Sequence, residues 1–398
     1  MILKTSRKSG GRLIDSKSLT EEYEAKELSR RQMLQSAMVA SVGAWLGTAG
    51  LAGCTTNVTT IKQAPEEAPP EDGTPSPDAP GATKTPHLVG MGYHATDRAA
   101  ALRAALEETV GLGMIKAGQS VCIRVNSNSG DVYPYSTSPD TLLAVGGMLR
   151  DLGVTDIRIG DRSFWGDPNT AGNLEANGIA QAARTLGTKA VVYDDSVDWM
   201  TLGSASVPNW KGTVRLPTTV TTADHVLILS CVKTHFISSV TMSLKIALGL
   251  VHPTDRQRDG NLKTHDTRIL HQQIAQINSA FTASLVIQDG YSAVISGGPT
   301  MRDKPQGAPA GWSGGITGDP KVFIVSPDRI AADVAGIAVL QTLSPAYEQV
   351  QKSTAFANPM IQAAIAAGNL GITSPAAFDL SGPTVPSLET FLAKARAA

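Results

Sequence analysis

The chain contains 398 residues, of which 42% are hydrophobic, enough for one large domain or two small ones with their own cores. Its 34 Lys and Arg nearly balance 35 Asp and Glu, which gives a formal net charge of −1. Because there is no basic surplus and no basic segment interleaved with aromatic residues, nucleic acid is excluded as a partner.

The first feature along the chain is an N-terminal segment with the pattern of an export signal. Arg30 and Arg31 open a soft apolar stretch and resemble a twin-arginine signal, while the segment from Leu51 to Cys54 resembles a lipoprotein box. An uncleaved transmembrane anchor is the alternative, because residues 33–53 are long enough to span a bilayer. Their Ala, Gly, Ser and Thr content favours a cleaved signal, since membrane-spanning helices are usually richer in large aliphatic residues.

The predicted mature protein therefore begins at Cys54, where a lipid would anchor it to the membrane after export by the twin-arginine translocase. Thr55 follows in place of the Asp that retains lipoproteins at the inner membrane, so we expect the periplasmic face of the outer membrane in a two-membrane host. Residues 54–86 are rich in Pro, Glu and Asp, and this composition predicts a disordered tether.

The rest of the chain alternates predicted helices and strands. Helices are expected over residues 96–110, 138–152, 174–186, 240–250, 267–278, 328–341 and 359–367, and strands over residues 120–126, 156–160, 189–193, 225–231, 285–288 and 322–325. This alternation predicts an α/β fold over residues 87–385, with a mostly parallel sheet flanked by helices on both faces, either as one body or as two lobes sharing a crevice. Residues 386–398 are expected to form the end of the C-terminal helix and a tail.

Two cysteines, Cys122 and Cys231, remain after lipidation and lie in or at the end of predicted strands. They are expected to be small buried side chains, and a disulfide between them is the alternative. Two thiolates cannot hold an iron–sulfur cluster alone, so no such cluster is expected.

The densest polar cluster, Lys233-Thr234-His235, directly follows the apolar strand. Ser243 and Lys245 come next, at the start of a predicted helix. Ligands of open parallel sheets bind beyond the carboxyl ends of the strands, and a helix start suits an anion. A polar loop that only caps neighbouring helices is the alternative interpretation.

Other polar residues follow other predicted strands. Asn126 and Asp289 end strands, and Asp333 lies on the first turns of a helix. His252 and His265 are candidate metal ligands, although their spacing matches no standard zinc motif. We expect the strand-end residues to converge in one crevice, with His235, Lys245 and Asp289 as catalytic groups, and Lys233, Thr234, Asn126, Ser243 and Asp333 as groups that bind the substrate.

Several of these segments resemble the bacterial and archaeal domain of unknown function 362 (DUF362). They are Lys233-Thr234-His235, the segment from Val240 to Gly249, Asp289-Gly290 with Gly298-Pro299, and Ala331-Ala332-Asp333, in the family's order. The chain departs from the family at Arg124-Val125-Asn126, where Lys-Pro-Asn is usual, and at Lys245-Ile246, where Lys-Asn is usual. The resemblance implies a shared domain without a settled activity.

A shorter segment is similar to lactate racemase-like nickel-pincer proteins. His235 is followed by Ser and Thr residues, then by Lys245 ten positions later and a helix that contains glycine. In those proteins a Lys joins the cofactor and a His acts as acid and base. This likeness implies isomerase-like or lyase-like chemistry, with or without a metal.

The residues together predict an exported, lipid-anchored enzyme that acts on an anionic small molecule. Lys233 and Lys245 would supply positive charge, His235 would move a proton, and Asp289 would orient the substrate or act as a base. A solute-binding or scaffold lipoprotein without turnover is the alternative, because the same basic residues would serve for capture alone.

Overall fold

The computed structural model describes residues 87–164, 167–262, 266–301 and 315–382. The predicted signal, the tether, Cys54, His265 and the C-terminal tail lie outside these residues. The strands are β1 (Val89–Tyr93), β2 (Ser120–Arg124), β3 (Asp156–Asp161), β4 (Ala190–Val192), β5 (Trp199–Leu202), β6 (Val214–Pro217), β7 (His225–His235), β8 (Ser239–Thr241), β9 (Leu285–Ser296), β10 (Ile316–Gly318), β11 (Val322–Ser326) and β12 (Leu380–Ser381).

Helices connect most of these strands. They are α1 (Arg98–Glu107), α2 (Pro139–Asp151), α3 (Thr170–Ala176), α4 (Ile179–Thr185), α5 (Thr218–Thr221), α6 (Ser243–Ile246), α7 (Pro253–Gln257), α8 (Leu270–Asn278), α9 (Arg329–Leu343), α10 (Glu348–Gln351) and α11 (Pro359–Ala367), with 3₁₀ turns at Ala247–Leu250 and Pro375–Ala377. None of the helices in the described part of the chain combines the length and apolarity that a membrane span requires.

Ten of the described strands form one mixed sheet. Its main order is β12-β1-β11-β9-β7-β2-β3-β4, with β8 paired to β7 and β10 paired to β9. The centre, β9-β7-β2-β3-β4, is parallel, and β11 runs antiparallel to both β9 and β1. The prediction of an α/β fold with a mostly parallel sheet is therefore confirmed.

The sheet is covered on both faces because its central strands are apolar on both sides. Along β7, Leu227 and Leu229 pack toward α2, whereas Val226 and Ile228 pack toward α9. We call these the α2 face and the α9 face. Cys122 and Cys231 are both buried and unpaired, so the structure contains no disulfide between them.

Local sequence signals account for several helix starts. The Ser138 side chain accepts a hydrogen bond from the backbone N–H of Thr141, and Pro139 occupies the first turn of α2. Asp328 caps α9 in the same way through Ala331. These helices lie close to where the sequence predicts them.

Other predicted elements are wrong in extent. The predicted helix 174–186 is two helices, because Gly178 takes a left-handed φ of 82° between them. The predicted helix 240–250 is strand β8, the single turn α6 and a 3₁₀ turn, since residues 239–241 pair with the extended end of β7. Strands β1, β5, β6, β10 and β12 have no counterpart among the predicted elements.

Candidate functional site

A cluster of polar side chains lies at the carboxyl ends of the parallel strands β2, β3 and β7. Asn126 follows β2, Asp161 ends β3, and Lys233 lies near the end of β7. All three side chains are buried. This is the edge of an open parallel sheet where ligands bind.

Lys233 is completely buried, on the α2 face. Its Nζ donates a hydrogen bond to the backbone carbonyl of Tyr135 at 2.5 Å, and the side-chain amide of Asn126 donates to the same carbonyl at 3.4 Å. Burial lowers the pKa of Lys233 to about 8. The structure thus brings two of the predicted binding residues together on one carbonyl.

Lys245 projects from α6 and is only partly exposed. Burial and the nearby charge of Lys233 lower its pKa to about 7. Within the described residues, no carboxylate forms an ion pair with either lysine. The two lysines therefore lie close enough for their charges to interact, and the charges of Asp161 and Asp131 act favourably on Lys233 without forming an ion pair with it.

Two histidines contact the backbone of Ser238, and the charge of Lys245 acts on one of them, His271. His235 Nδ1 accepts hydrogen bonds from the backbone N–H groups of Ile237 at 3.0 Å and Ser238 at 3.3 Å, so in the neutral ring the proton lies on Nε2. The ring of His271, in the first turn of α8, is hydrogen-bonded to the backbone of Ser238. Its Nε2 is buried and has no partner in the described structure, and burial together with Lys245 lowers its pKa. We call Lys233, Lys245, His235 and His271 the lysine site.

A buried ion pair next to the lysine site holds the turn that carries Lys245. Arg124 and Asp161 pair at 2.7 Å, with their side chains 2% and 3% exposed. Arg124 Nη2 also donates to the carbonyl of Ile246 at 2.6 Å, directly after Lys245. Gly249 packs against this pair, and a Cβ at that position would overlap both Arg124 Nη2 and Asp161 Oδ1. The pair therefore fixes the helix that carries Lys245.

Asp289 is buried on the α2 face and is fully hydrogen-bonded. Its carboxylate accepts from Arg98 at 2.6 Å, Tyr133 at 2.6 Å, Thr141 at 2.5 Å and the backbone N–H of Tyr291 at 3.0 Å. Burial raises its pKa despite these donors. Asp289 thereby holds α1, α2 and the loop before α2, and that loop supplies the Tyr135 carbonyl to Lys233.

Ser243 and Asp333 form a separate group on the α9 face. The Asp333 carboxylate accepts from Ser243 Oγ at 2.6 Å, from the backbone N–H groups of Ser243 and Leu244 at 2.9 and 3.1 Å, and from Gln288 Nε2 at 2.6 Å. Burial raises the pKa of Asp333 to about 6. Because Gln288 and Asp289 are successive residues of a strand, Asp333 and Asp289 lie on opposite faces of the sheet. Asp333 caps α6 and so positions Lys245.

The structure places two further predicted residues in other surroundings. Thr234 Oγ1 donates to the carbonyl of Gly297 at 2.9 Å. His252 Nε2 lies 3.0 Å from Asp195 Oδ1, and its ring packs edge-on against Trp199. The described residues contain no group of three or more His, Cys, Asp or Glu side chains arranged to hold a metal ion.

Sequence reasoning missed two contributors to the lysine site. His271 is noticeable in the sequence only as one of several clustered histidines, and Arg124 only as a departure from the family pattern. Each acts through residues distant in sequence: His271 meets Lys245, and Arg124 reaches Asp161 and Ile246. The carbonyl of Tyr135 has no sequence signal, because any residue would supply it.

The chain matches a known protein family and has a weak likeness to a solved structure. A family model described as "Domain of unknown function (DUF362)" matches residues 121–338, more than half of the chain and including all of the lysine site. No curated protein matches the chain. Among solved structures, the lactate racemase apoprotein from Thermoanaerobacterium thermosaccharolyticum is similar with 13% sequence identity and a TM-score of 0.36, over 51% of this chain and 50% of that chain. The match spans about half the length of that structure, and so weak a likeness supports no conclusion about activity.

Proposed function

This chain belongs to the DUF362 family, and we propose that its lysine site binds a small anionic molecule and carries out acid–base chemistry on it. One observation carries the proposal: the charges of Lys233, Lys245 and His271 act on one another at the strand ends, and neither lysine forms an ion pair with a carboxylate in the described structure. Lys233 is fully buried, and a charged lysine in that position is costly, so a bound anion would offset part of the cost.

The residues of the lysine site have distinct roles in this proposal. Lys233 and Lys245 attract the anion, and the lowered pKa of Lys245, about 7, lets it both give and take a proton near neutral pH. His235 and His271 present imidazoles to the same turn, around Ser238. Asp289 and Asp333 act as positioning residues, because donors already surround both carboxylates.

The first test is the pH dependence of sulfate binding, since sulfate stays fully ionised above pH 6. As pH rises from 6 to 8.5, Lys245 and then Lys233 lose their protons, so sulfate affinity falls by roughly tenfold or more. Calorimetric titration at constant ionic strength measures this. An affinity that stays flat over this interval contradicts the proposal.

Sulfate affinity is expected to fall as pH rises, but the stability of the ligand-free protein is expected to increase. The ordinary lysine pKa is 10.5, against about 7 for Lys245 and about 8 for Lys233 in the folded protein. Between these values the unfolded chain binds more protons than the folded protein, so the free energy of unfolding rises with pH from about 7 upward. Urea denaturation at pH 6, 7.5 and 9 checks the sign.

We further propose that the protein works as an exported lipoprotein, on the basis of Arg30, Arg31 and Cys54. Replacing both arginines with lysine is expected to trap precursor in the cytoplasm. Cys54→Ala is expected to release a soluble, unlipidated form. Fractionation with an antibody against the α/β domain measures both, and unchanged membrane attachment of Cys54→Ala would indicate an uncleaved anchor.

A further inference from the structure

Arg256 lies outside the lysine site and has an unusual environment. It belongs to α7 and is 3% exposed. Its Nη1 donates to the carbonyl of Ser163 at 3.0 Å, but its Nε and Nη2 are buried and have no acceptor in the part of the chain that the structure describes. Nε and Nη2 form one edge of the guanidinium, the edge that donates two parallel hydrogen bonds to a carboxylate or phosphoryl group.

The neighbouring acid cannot fill this role. Asp161 is the carboxylate whose charge acts favourably on Arg256. Its oxygens already accept from Arg124 and from the backbone N–H groups of Ser127 and Arg162. Asp161 is thus already paired with Arg124, and the Nε–Nη2 edge of Arg256 has no hydrogen-bond acceptor in the described residues.

The surrounding groups add positive charge. The charges of Arg162 and Arg124 both act unfavourably on Arg256. Arg162 also has a buried Nε without an acceptor in the described structure. Asp194 offsets part of the charge of Arg162, but Asp161 is the one carboxylate whose charge acts on Arg256, against two arginines. Burying a guanidinium edge without a partner in such surroundings is costly.

We propose that the Nε–Nη2 edge of Arg256 is a second anion-binding site, which accepts two oxygens of a carboxylate or phosphoryl group. It lies beyond the end of β3, where Ser163 anchors the other side of the guanidinium. This proposal does not depend on the function proposed for the lysine site. A planar bidentate donor requires arginine, because lysine offers a point charge without the fork.

The test compares Arg256→Lys with wild type, using acetate and inorganic phosphate as separate probes at pH 7.5 and constant ionic strength. Calorimetric titration is expected to show at least tenfold weaker binding for whichever probe the wild type binds at this site. Arg184→Lys is the matched control, because Arg184 pairs with Glu175 on the surface, and it should bind like wild type. Lys245→Met should retain the Arg256-dependent binding, which separates the two sites.

Arg256→Met covers the case in which the lysine variant folds poorly. Removing an uncompensated buried charge should leave the melting temperature in chloride buffer without acetate or phosphate unchanged or higher. It should also abolish the rise in melting temperature on adding the probe that the wild type binds. A lower melting temperature in the absence of acetate and phosphate, or a failure to fold, would show that Arg256 is already compensated and would overturn the proposal. Equal affinities of Arg256→Lys and wild type, or wild-type binding of neither probe, would also overturn it.

Discussion

Lys245→Met is expected to weaken the pH-dependent binding of sulfate by roughly 100-fold or more. The substitution removes one of the two lysine charges that form no ion pair with a carboxylate in the described structure, and the same residue has the pKa of about 7. Methionine is close to lysine in length and suits the apolar surroundings of α6, so the fold should persist. Calorimetric titration at pH 6.5 measures the affinity, and circular dichroism measures the fold.

Lys352→Met is the matched control for this change. Lys352 is an exposed lysine paired with Glu348 at 3.5 Å, so its replacement should leave sulfate affinity and stability nearly unchanged. Lys245→Met should also remove part of the rise in stability between pH 7 and 9, because the titrating group is gone. Full sulfate affinity in Lys245→Met would place Lys245 outside the binding site and would end the proposal for the lysine site.

Gly249→Ala is expected to destabilise the protein by about 3 kcal/mol or more. The new Cβ would overlap Arg124 Nη2 and Asp161 Oδ1, which form a buried ion pair. Separating them leaves two buried charges without full compensation. The Ile246 carbonyl would lose its guanidinium donor as well, so α6 and Lys245 should shift and sulfate affinity should fall. Urea denaturation followed by tryptophan fluorescence measures the loss.

Gly147→Ala is the control for this second change. Gly147 lies within α2, and an added Cβ there would meet no atom within 4 Å. Alanine is the better helix former, so this variant should gain up to about 1 kcal/mol. If both substitutions have the same small effect, the packing of Gly249 against the ion pair is not a determinant of stability.

The histidines show that residue type and closeness in sequence do not predict the surroundings of a side chain in the fold. His235, His252 and His271 are close in sequence and similar in chemistry. In the fold, His252 packs against Trp199 and lies 3.0 Å from Asp195, whereas His235 and His271 both contact the backbone of Ser238, and the charge of Lys245 acts on His271. Strand β7 and helix α8 bring those two together, and that pairing depends on elements far apart in the chain.

The hydrogen-bond partners of Asp289 and Asp333 could not be predicted from their positions in the sequence either. Each follows the pattern of a functional acid at a strand end or helix start. The structure surrounds each with hydrogen-bond donors, Asp289 on the α2 face and Asp333 on the α9 face. Whether a carboxylate is free to react depends on its partners, and most of these partners come from distant segments.

By itself the sequence determined the α/β class and the mostly parallel sheet, and it singled out the segment from Lys233 to Lys245 as a candidate site. These depend on local properties: apolar runs, helix caps and the alternation of elements. Only the tertiary structure decided which polar groups are paired and which are not. It joined Arg124 to Asp161, enclosed Asp289, left Lys245 without an ion pair to a carboxylate, and left one edge of Arg256 without an acceptor in the described residues. The physical reason is that burial and hydrogen bonding, which set the charge state and reactivity of a side chain, arise from contacts between segments far apart in the chain.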